Sequence, residues 1–173
     1  MSSFPERSRQ AEDAALPVRQ RLLALQDCVK AFPVYGHHAT WRHLITWARI
    51  PRRLEDDLDS LGRAVAELRA ARGVWLPVVA EFAARRQAEK ALGRRTLTRR
   101  DQWMTRRLEV YCPDPDLRPV ESMARVVARV IDGYRDGSVW GRDCVVCGAG
   151  RAVEVACPGC GVFIPGSARW KWR

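Results

Sequence analysis

The sequence predicts a mainly α-helical protein, with a bundle-like helical domain followed by a small C-terminal module that contains four closely spaced cysteines. Apolar residues recur every three or four positions through most of residues 18–136, which is the period of an amphipathic helix. Prolines and glycines separate these periodic segments. After Gly137 the pattern changes to the alternation that is typical of strands, so we place a domain boundary at 137–141.

The sequence of residues 1–72 predicts a flexible leader and three helices. Residues 1–17 are polar, contain two prolines and are expected to form the leader. The first helix begins at Val18 and ends before Pro33. Thr40 is expected to cap a short second helix, and a third should run over 52–72, with Pro51 at its start and Gly73 as its terminator. The apolar stripes are Val18, Leu22, Leu25, Val29 and Phe32 in the first helix, Trp41, Leu44, Ile45 and Ala48 in the second, and Leu54, Leu58, Leu61, Val65 and Leu68 in the third.

Matching stripes favour an antiparallel bundle, although the stripe of the third helix could also serve a dimer seam. Three further helices are expected. The fourth starts after Gly73, tolerates Pro77 in its first turn and closes at Gly93. The fifth runs from Thr98 to Tyr111, and the sixth from about Pro119 to Tyr134. The buried positions predicted for the last two are Met104, Leu108 and Tyr111, and Val120, Met123, Val127, Val130 and Tyr134.

Two Cys-x-x-Cys pairs, each followed by glycine, dominate the region 141–173. They are Cys144 with Cys147 and Cys157 with Cys160. Two such turns can hold one zinc ion in a tetrahedron of thiolates, and residues 151–156 alternate as one strand of a hairpin between them. Four thiolates leave no open position for a substrate, so the metal would be structural. A rubredoxin-like iron centre or a redox pair remains an alternative.

This pattern resembles the zinc-ribbon family over residues 142 to about 172. The resemblance implies a small β-hairpin and one structural Zn²⁺ held by Cys144, Cys147, Cys157 and Cys160. After it, Trp170, Lys171 and Trp172 alternate aromatic and basic side chains. The rings could stack on nucleic-acid bases, or they could form a third strand that covers the ribbon.

The net charge of +10 favours an anionic partner, nucleic acid above all. Only Lys30, Lys90 and Lys171 are lysines, and the remaining 27 basic residues are arginines. Arginine suits phosphates and guanine edges, but a GC-rich genome also encodes an arginine-rich chain by default.

Much of the positive charge lies between residues 85 and 107, where nine basic residues stand against Glu89 and Asp101. The segment is expected to contain the end of one helix, a turn and the start of the next helix. Such an arrangement can present guanidinium groups and amides to a phosphate backbone. A solvated helix face is the alternative. The nucleic-acid contacts predicted here and in the tail are Arg85, Arg86, Arg94, Arg95, Arg99, Arg100, Trp103, Arg106, Arg107, Trp170, Lys171 and Trp172.

Two other candidate sites are less well supported by their patterns. A helix-turn-helix over 40–58 would place Arg52 and Arg53 at the start of its second helix, but Arg49 stands where the turn usually has glycine. His37, His38 and His43 lack a metal-ligand spacing and are expected to be surface or capping residues. Cys28 and Cys112 are expected to be unpaired in a reducing compartment.

The function predicted from these patterns is that of a nucleic-acid-binding accessory or regulatory protein, with DNA favoured over RNA. The alternative is a protein–protein adaptor of the transcription or replication machinery that docks through its ribbon. No nucleophile elbow, phosphate-binding loop or carboxylate pair is recognisable, so we expect no enzyme. The first residues lack the apolar run of a secretory signal and no stretch approaches a membrane span, which predicts a cytoplasmic protein without a membrane partner.

Overall fold

The computed structural model describes residues 3–97, 101, 104, 108 and 121–135, and within these residues every regular element is helical. The predicted ribbon and most of the predicted fifth helix lie outside this range. Among the described helices, none has the length and hydrophobicity of a membrane span. The elements are α1 (Phe4–Glu12), α2 (Val18–Ala31), α3 (His37–Trp47), a 3-10 turn (Leu54–Asp56), α4 (Ser60–Ala91) and α5 (Met123–Arg135).

Helix α1 occupies much of the segment for which the sequence predicts a flexible leader. Its buried side chains, Phe4, Ser8 and Ala11, follow a spacing of four and three and therefore form one face. The guanidinium of Arg72 in α4 lies 4.6 Å from the centre of the Phe4 ring, a cation–π contact. The face is small and one of its three residues is polar, so its apolar content is too low to be recognised from the sequence.

Helix α2 packs antiparallel against α1. Arg7 pairs with Asp27 at 3.5 Å, while Arg21 at the other end of the pair donates from Nε to the carbonyl of Ala11 at 3.0 Å. Arg21 is only 5% exposed, and its Nη2 also donates to the Leu58 carbonyl at 3.1 Å. One buried guanidinium therefore joins the end of α1 to the segment that precedes α4.

Helix α4 is a single helix of 32 residues, about 48 Å long. The prediction of two helices divided at Gly73 is therefore wrong. Gly73 does not adopt the positive φ of a helix terminator, and Pro77 lies inside the helix. The nitrogen of Pro77 cannot donate to the Gly73 carbonyl, but Gly73 is exposed, so water can take the place of the missing donor.

The start of α4 also differs from the prediction. The helix begins at Ser60, because Asp57 supplies the N-terminal acceptor: its Oδ1 accepts from the amides of Asp59 at 3.2 Å and Ser60 at 3.1 Å. Arg63 pairs with the other carboxylate oxygen at 2.5 Å and holds the pKa of Asp57 below its usual value. The acidic run after Leu54 therefore precedes and caps a helix instead of lying within one.

Helix α3 ends in a left-handed turn. Arg49 has φ +52°, and the amide of Ile50 donates to the Ile45 carbonyl at 3.0 Å, the bond that defines a Schellman motif. Arg63 adds two bonds from its Nε and Nη2 to the Ala48 carbonyl, at 3.2 and 2.9 Å. No helix begins at Arg52, so the helix-turn-helix proposed for 40–58 is not formed.

Helix α4 is the element against which the others are arranged. Arg21 of α2 contacts the Leu58 carbonyl just before α4, and Phe32 at the end of α2 shares a cavity wall with Trp75, so α2 and α4 run in the same direction. The matching stripes had predicted an antiparallel pair. Helix α3 runs antiparallel to α4, whereas α5 runs parallel to α4. The buried side chains form one core that includes Leu25, Val29, Leu44, Leu61, Val65, Leu68, Met123, Val127 and Val130.

The predicted inward stripes of the first and last helices are largely confirmed. Leu25, Val29 and Phe32 are buried in and after α2, and Met123, Val127 and Val130 are buried in α5. Of the predicted fifth helix, Leu108 is buried and Met104 packs against the core.

Replacement of Gly73 by alanine tests the continuity of α4. A Cβ at Gly73 would meet nothing within 4 Å, so Gly73→Ala should raise the free energy of unfolding by about 0.5–1 kcal/mol. Gly93, which has φ +77°, is the matched control, and Gly93→Ala should lower it by about 1 kcal/mol. Urea unfolding measures both. A Gly73→Ala variant that loses stability as Gly93→Ala does would contradict the single helix.

Candidate nucleic-acid interface

Only part of the predicted nucleic-acid surface lies within the described residues. Arg85, Arg86, Arg94 and Arg95 lie at the end of α4 and in the turn after it. The other predicted contacts, Arg99, Arg100, Trp103, Arg106, Arg107, Trp170, Lys171 and Trp172, lie outside the described residues. So do the predicted zinc ligands Cys144, Cys147, Cys157 and Cys160.

The turn after α4 has a defined backbone geometry. Gly93 adopts φ +77°, its amide donates to the Lys90 carbonyl at 3.0 Å, and the Arg94 amide donates to the Glu89 carbonyl at 2.9 Å. These two bonds form a complete Schellman motif, in which glycine avoids the steric cost of the left-handed conformation. We call residues 90–96 the basic turn.

The buried side chain of Arg86 binds the backbone of the basic turn. The residue is 8% exposed, and its Nη2 donates to the Arg95 carbonyl at 2.9 Å, while Nη1 lies 3.4 Å from the Thr96 carbonyl and pairs with Glu89. The sequence groups Arg86 with the phosphate contacts. Its guanidinium instead binds backbone carbonyls and a carboxylate within the chain, so its role in this structure is to fix the turn.

The side chain of Arg85 makes an internal contact and is also partly exposed to solvent. Its side chain is 45% exposed, pairs with the buried carboxylate of Asp101 and lies 5.8 Å from the centre of the Phe82 ring. Arg94 and Arg95 are exposed, as is Lys90. Among the described residues, none makes a side-chain hydrogen bond or ion pair with Arg94 or Arg95. The basic turn thus presents three cations to solvent, with the acid at Glu89 already paired to Arg86.

A second polar cluster, which the sequence does not reveal, is buried between α3, α4 and α5. Oε1 of Glu67 accepts from the Met123 amide at 2.5 Å and lies 3.3 Å from Nε2 of His43, which donates to it. His43 also stacks on Trp47, with ring centres 5.7 Å apart. It had been expected at the surface or as a cap, but its side chain is 2% exposed, so that expectation is wrong.

The position of His43 on α3 is the one sequence signal that could have revealed this burial. It follows Thr40 by three residues and precedes Leu44, on the inward face that both of these buried residues share. The pair resembles an acid–base couple in its chemistry, but Glu67 is 7% exposed, so a substrate has no access to it. Within the described residues, no group of three side chains is arranged to bind a metal ion.

A buried thiol and a cavity lie apart from the basic turn and the Glu67 cluster. Cys28 is a free thiol buried in the core, where desolvation and then the charge of Asp27 raise its pKa to about 11, so it is protonated and unreactive at neutral pH. A cavity of about 360 Å³ lies where the end of α2 meets α4, and it is lined by Lys30, Ala31, Phe32, Pro33, Trp75 and Leu108. The ammonium of Lys30 at this cavity pairs with Asp27.

Removal of the Glu67 carboxylate should destabilise the bundle. Glu67→Ala leaves the Met123 amide and the His43 ring without their buried acceptor, at a cost of about 1–3 kcal/mol in the free energy of unfolding. The matched control is Glu81→Ala, which breaks an exposed ion pair with Arg135 and should cost at most about 1 kcal/mol. Chemical denaturation of both variants measures the difference. Equal losses would show that the buried carboxylate has no special role.

Comparisons with known proteins assign this chain to no family. Neither the family models, nor the curated proteins, nor the solved structures gave a match. Function is therefore inferred from the residues of this chain and their contacts.

Proposed function

We propose that this protein binds nucleic acid, DNA in preference to RNA, as an accessory or regulatory protein of the cytoplasm without catalytic activity of its own. The net charge of +10 supports an anionic partner. The observation that carries the proposal is the basic turn, whose exposed arginines stand on a backbone that buried contacts hold in place.

A fixed backbone favours binding because less freedom is lost when the partner arrives. The turn that bears Arg94 and Arg95 is held by two helix-capping bonds, donated by the amides of Gly93 and Arg94, and by the bond from Arg86 to the Arg95 carbonyl. A phosphate backbone would therefore order only the two side chains. Backbone contacts of this kind position a protein on nucleic acid without reading its sequence.

The local electrostatics agree with such a partner. Glu89 is the acid closest in sequence to the exposed cations, and its charge is paired with Arg86. Lys90, Arg94 and Arg95 are thus left as the charges that a phosphate would meet. A nucleic acid releases condensed counterions from its phosphates when exposed arginines pair with them, which supplies affinity that depends strongly on salt.

The zinc ribbon completes the proposal as a structural module. Its donor set of four cysteine thiols, Cys144, Cys147, Cys157 and Cys160, matches the closed tetrahedral sites that zinc occupies in structural modules. Zinc would supply folding free energy to a segment too short to form a core of its own. The ribbon would then hold Trp170, Lys171 and Trp172 for a second contact with nucleic acid.

Substitution of the two exposed arginines of the basic turn tests the binding surface. Arg94→Ala with Arg95→Ala should lower the affinity for a labelled DNA at least about tenfold at low salt, and should reduce the slope of log K against log salt by about two. Fluorescence anisotropy over a salt series measures both quantities.

The matched control for this experiment removes the same charge elsewhere. Arg9→Ala with Arg19→Ala changes two exposed arginines of α1 and α2 and should leave the affinity within about twofold. If both double variants lose affinity equally, the binding depends on net charge alone and the basic turn is not the site. If the wild-type protein binds no nucleic acid, the adaptor hypothesis replaces this one.

Metal analysis tests the ribbon independently of binding. Protein purified under reducing conditions should contain about one zinc per chain by elemental analysis, and Cys144→Ser with Cys157→Ser should lose it. Cys28→Ala is the control, because this buried thiol lies in the helical core, and it should retain the metal. Zinc well below one per chain in the wild-type protein would contradict the tetrahedral site.

A further inference from the structure

The outward side of α3 forms a continuous exposed face. His38, Arg42 and Ile45 follow one another at spacings of four and three, Thr46 lies beside them, and Arg49 follows in the turn just beyond the end of the helix. All five residues are exposed, whereas the opposite side of the helix buries Thr40, His43 and Leu44 in the core. We call these five residues the α3 face.

The charge of this region has one sign. Residues 37–53 contain four arginines and no acidic residue, and Arg52 and Arg53, both exposed, extend the positive charge beyond the helix end. The acids that follow serve the start of α4, where Asp57 is engaged by Arg63 and by the capping bonds. Glu55 and Asp56 are exposed in the 3-10 turn and confine the positive surface to α3 and the turn after it.

The left-handed conformation of Arg49 completes the Schellman motif at the end of α3, a position that glycine would fill at lower cost. Its φ of +52° is the left-handed region that glycine occupies at little cost and other residues avoid. Its side chain is exposed, and no described residue pairs with its guanidinium. A glycine here would stabilise the chain, so the arginine is best explained by a contact made outside it.

We infer that the α3 face binds duplex DNA in the major groove, an inference that rests on the proposed function and adds a second surface to it. Arg42 in the helix and Arg49 just beyond its end place cations at two levels of this face, and the major groove, roughly 12 Å wide, admits an α-helix. Between them, Thr46 offers a hydroxyl to base edges and Ile45, 39% exposed, an apolar group to thymine methyls. The deep, narrow groove of duplex RNA does not admit such a helix.

Replacement of Arg49 by glycine separates binding from stability. Arg49→Gly should raise the thermal unfolding midpoint by about 2–4 °C, because the strain is relieved. It should at the same time lower the affinity for duplex DNA about three- to tenfold and reduce the salt slope by about one. Arg19→Ala, which removes one exposed charge from α2, should leave the affinity within about twofold. An Arg49→Gly variant with unchanged affinity overturns the inference.

A second variant tests the centre of the face without removing an arginine. Thr46→Glu places a carboxylate where the bases would lie and should weaken duplex DNA binding at least about tenfold, whereas Leu23→Glu, at an exposed position of α2, should not. Circular dichroism confirms that each variant is folded. Equal binding of duplex RNA and duplex DNA by the wild-type protein overturns the assignment to the major groove.

The proposals for the basic turn and for the α3 face can be contradicted independently of each other. If Arg94→Ala with Arg95→Ala weakens DNA binding while Arg49→Gly and Thr46→Glu do not, the α3 face is excluded and the basic turn stands. If the reverse is found, the basic turn is excluded and the α3 face stands. If the wild-type chain binds neither duplex nor single-stranded DNA at low salt, both proposals fall.

Discussion

The arrangement of three helices depends on the hydrogen bonds that the buried carboxylate of Glu67 accepts. One oxygen accepts from the ring of His43 in α3 and from the first amide of α5, while its own backbone belongs to α4. A negative group at a helix N-terminus also suits the helix dipole, so α5 receives its N-terminal charge from a neighbouring helix. A residue as polar as glutamate is rarely buried without partners. Here its partners fix how α3 and α5 lie against the central helix.

Arginine has a structural use in this chain that net charge does not reveal. Arg21 binds the carbonyls of Ala11 and Leu58, Arg63 binds that of Ala48, and Arg86 binds those of Arg95 and Thr96. Each of these arginines joins the end of a helix, or the turn beyond it, to another segment. The planar fork of arginine can hold two acceptors at once in a fixed geometry, which the single ammonium of lysine does not do. Part of the arginine excess is therefore explained by the fold, and only the exposed remainder bears on a partner.

The sequence predicts the helices best where an apolar stripe is long and undisturbed, as in α2 and α5. It fails in α4, because Gly73 and Pro77 are interpreted as helix breaks. The helix continues through both residues, and at the exposed Gly73 the carbonyl that lacks a donor can bind water. The sequence also fails in α1, whose buried face depends on Ser8 and Ala11 being small. Within the candidate interface the sequence locates the basic residues between 85 and 96 but cannot separate Arg86 from Arg94. Which guanidinium is buried depends on where the backbone carbonyls lie, and the sequence does not reveal their positions.

The carbonyl-binding arginines have a consequence for how the protein responds to ionic strength. A buried guanidinium facing a neutral carbonyl is little affected by mobile ions, whereas an exposed guanidinium facing a phosphate is screened within a Debye length of about 8 Å at physiological salt. One residue type thus supports two interactions with different sensitivities. Added salt would therefore weaken the proposed contacts with an anionic partner well before it loosened the segments that the buried Arg21 and Arg86 hold together.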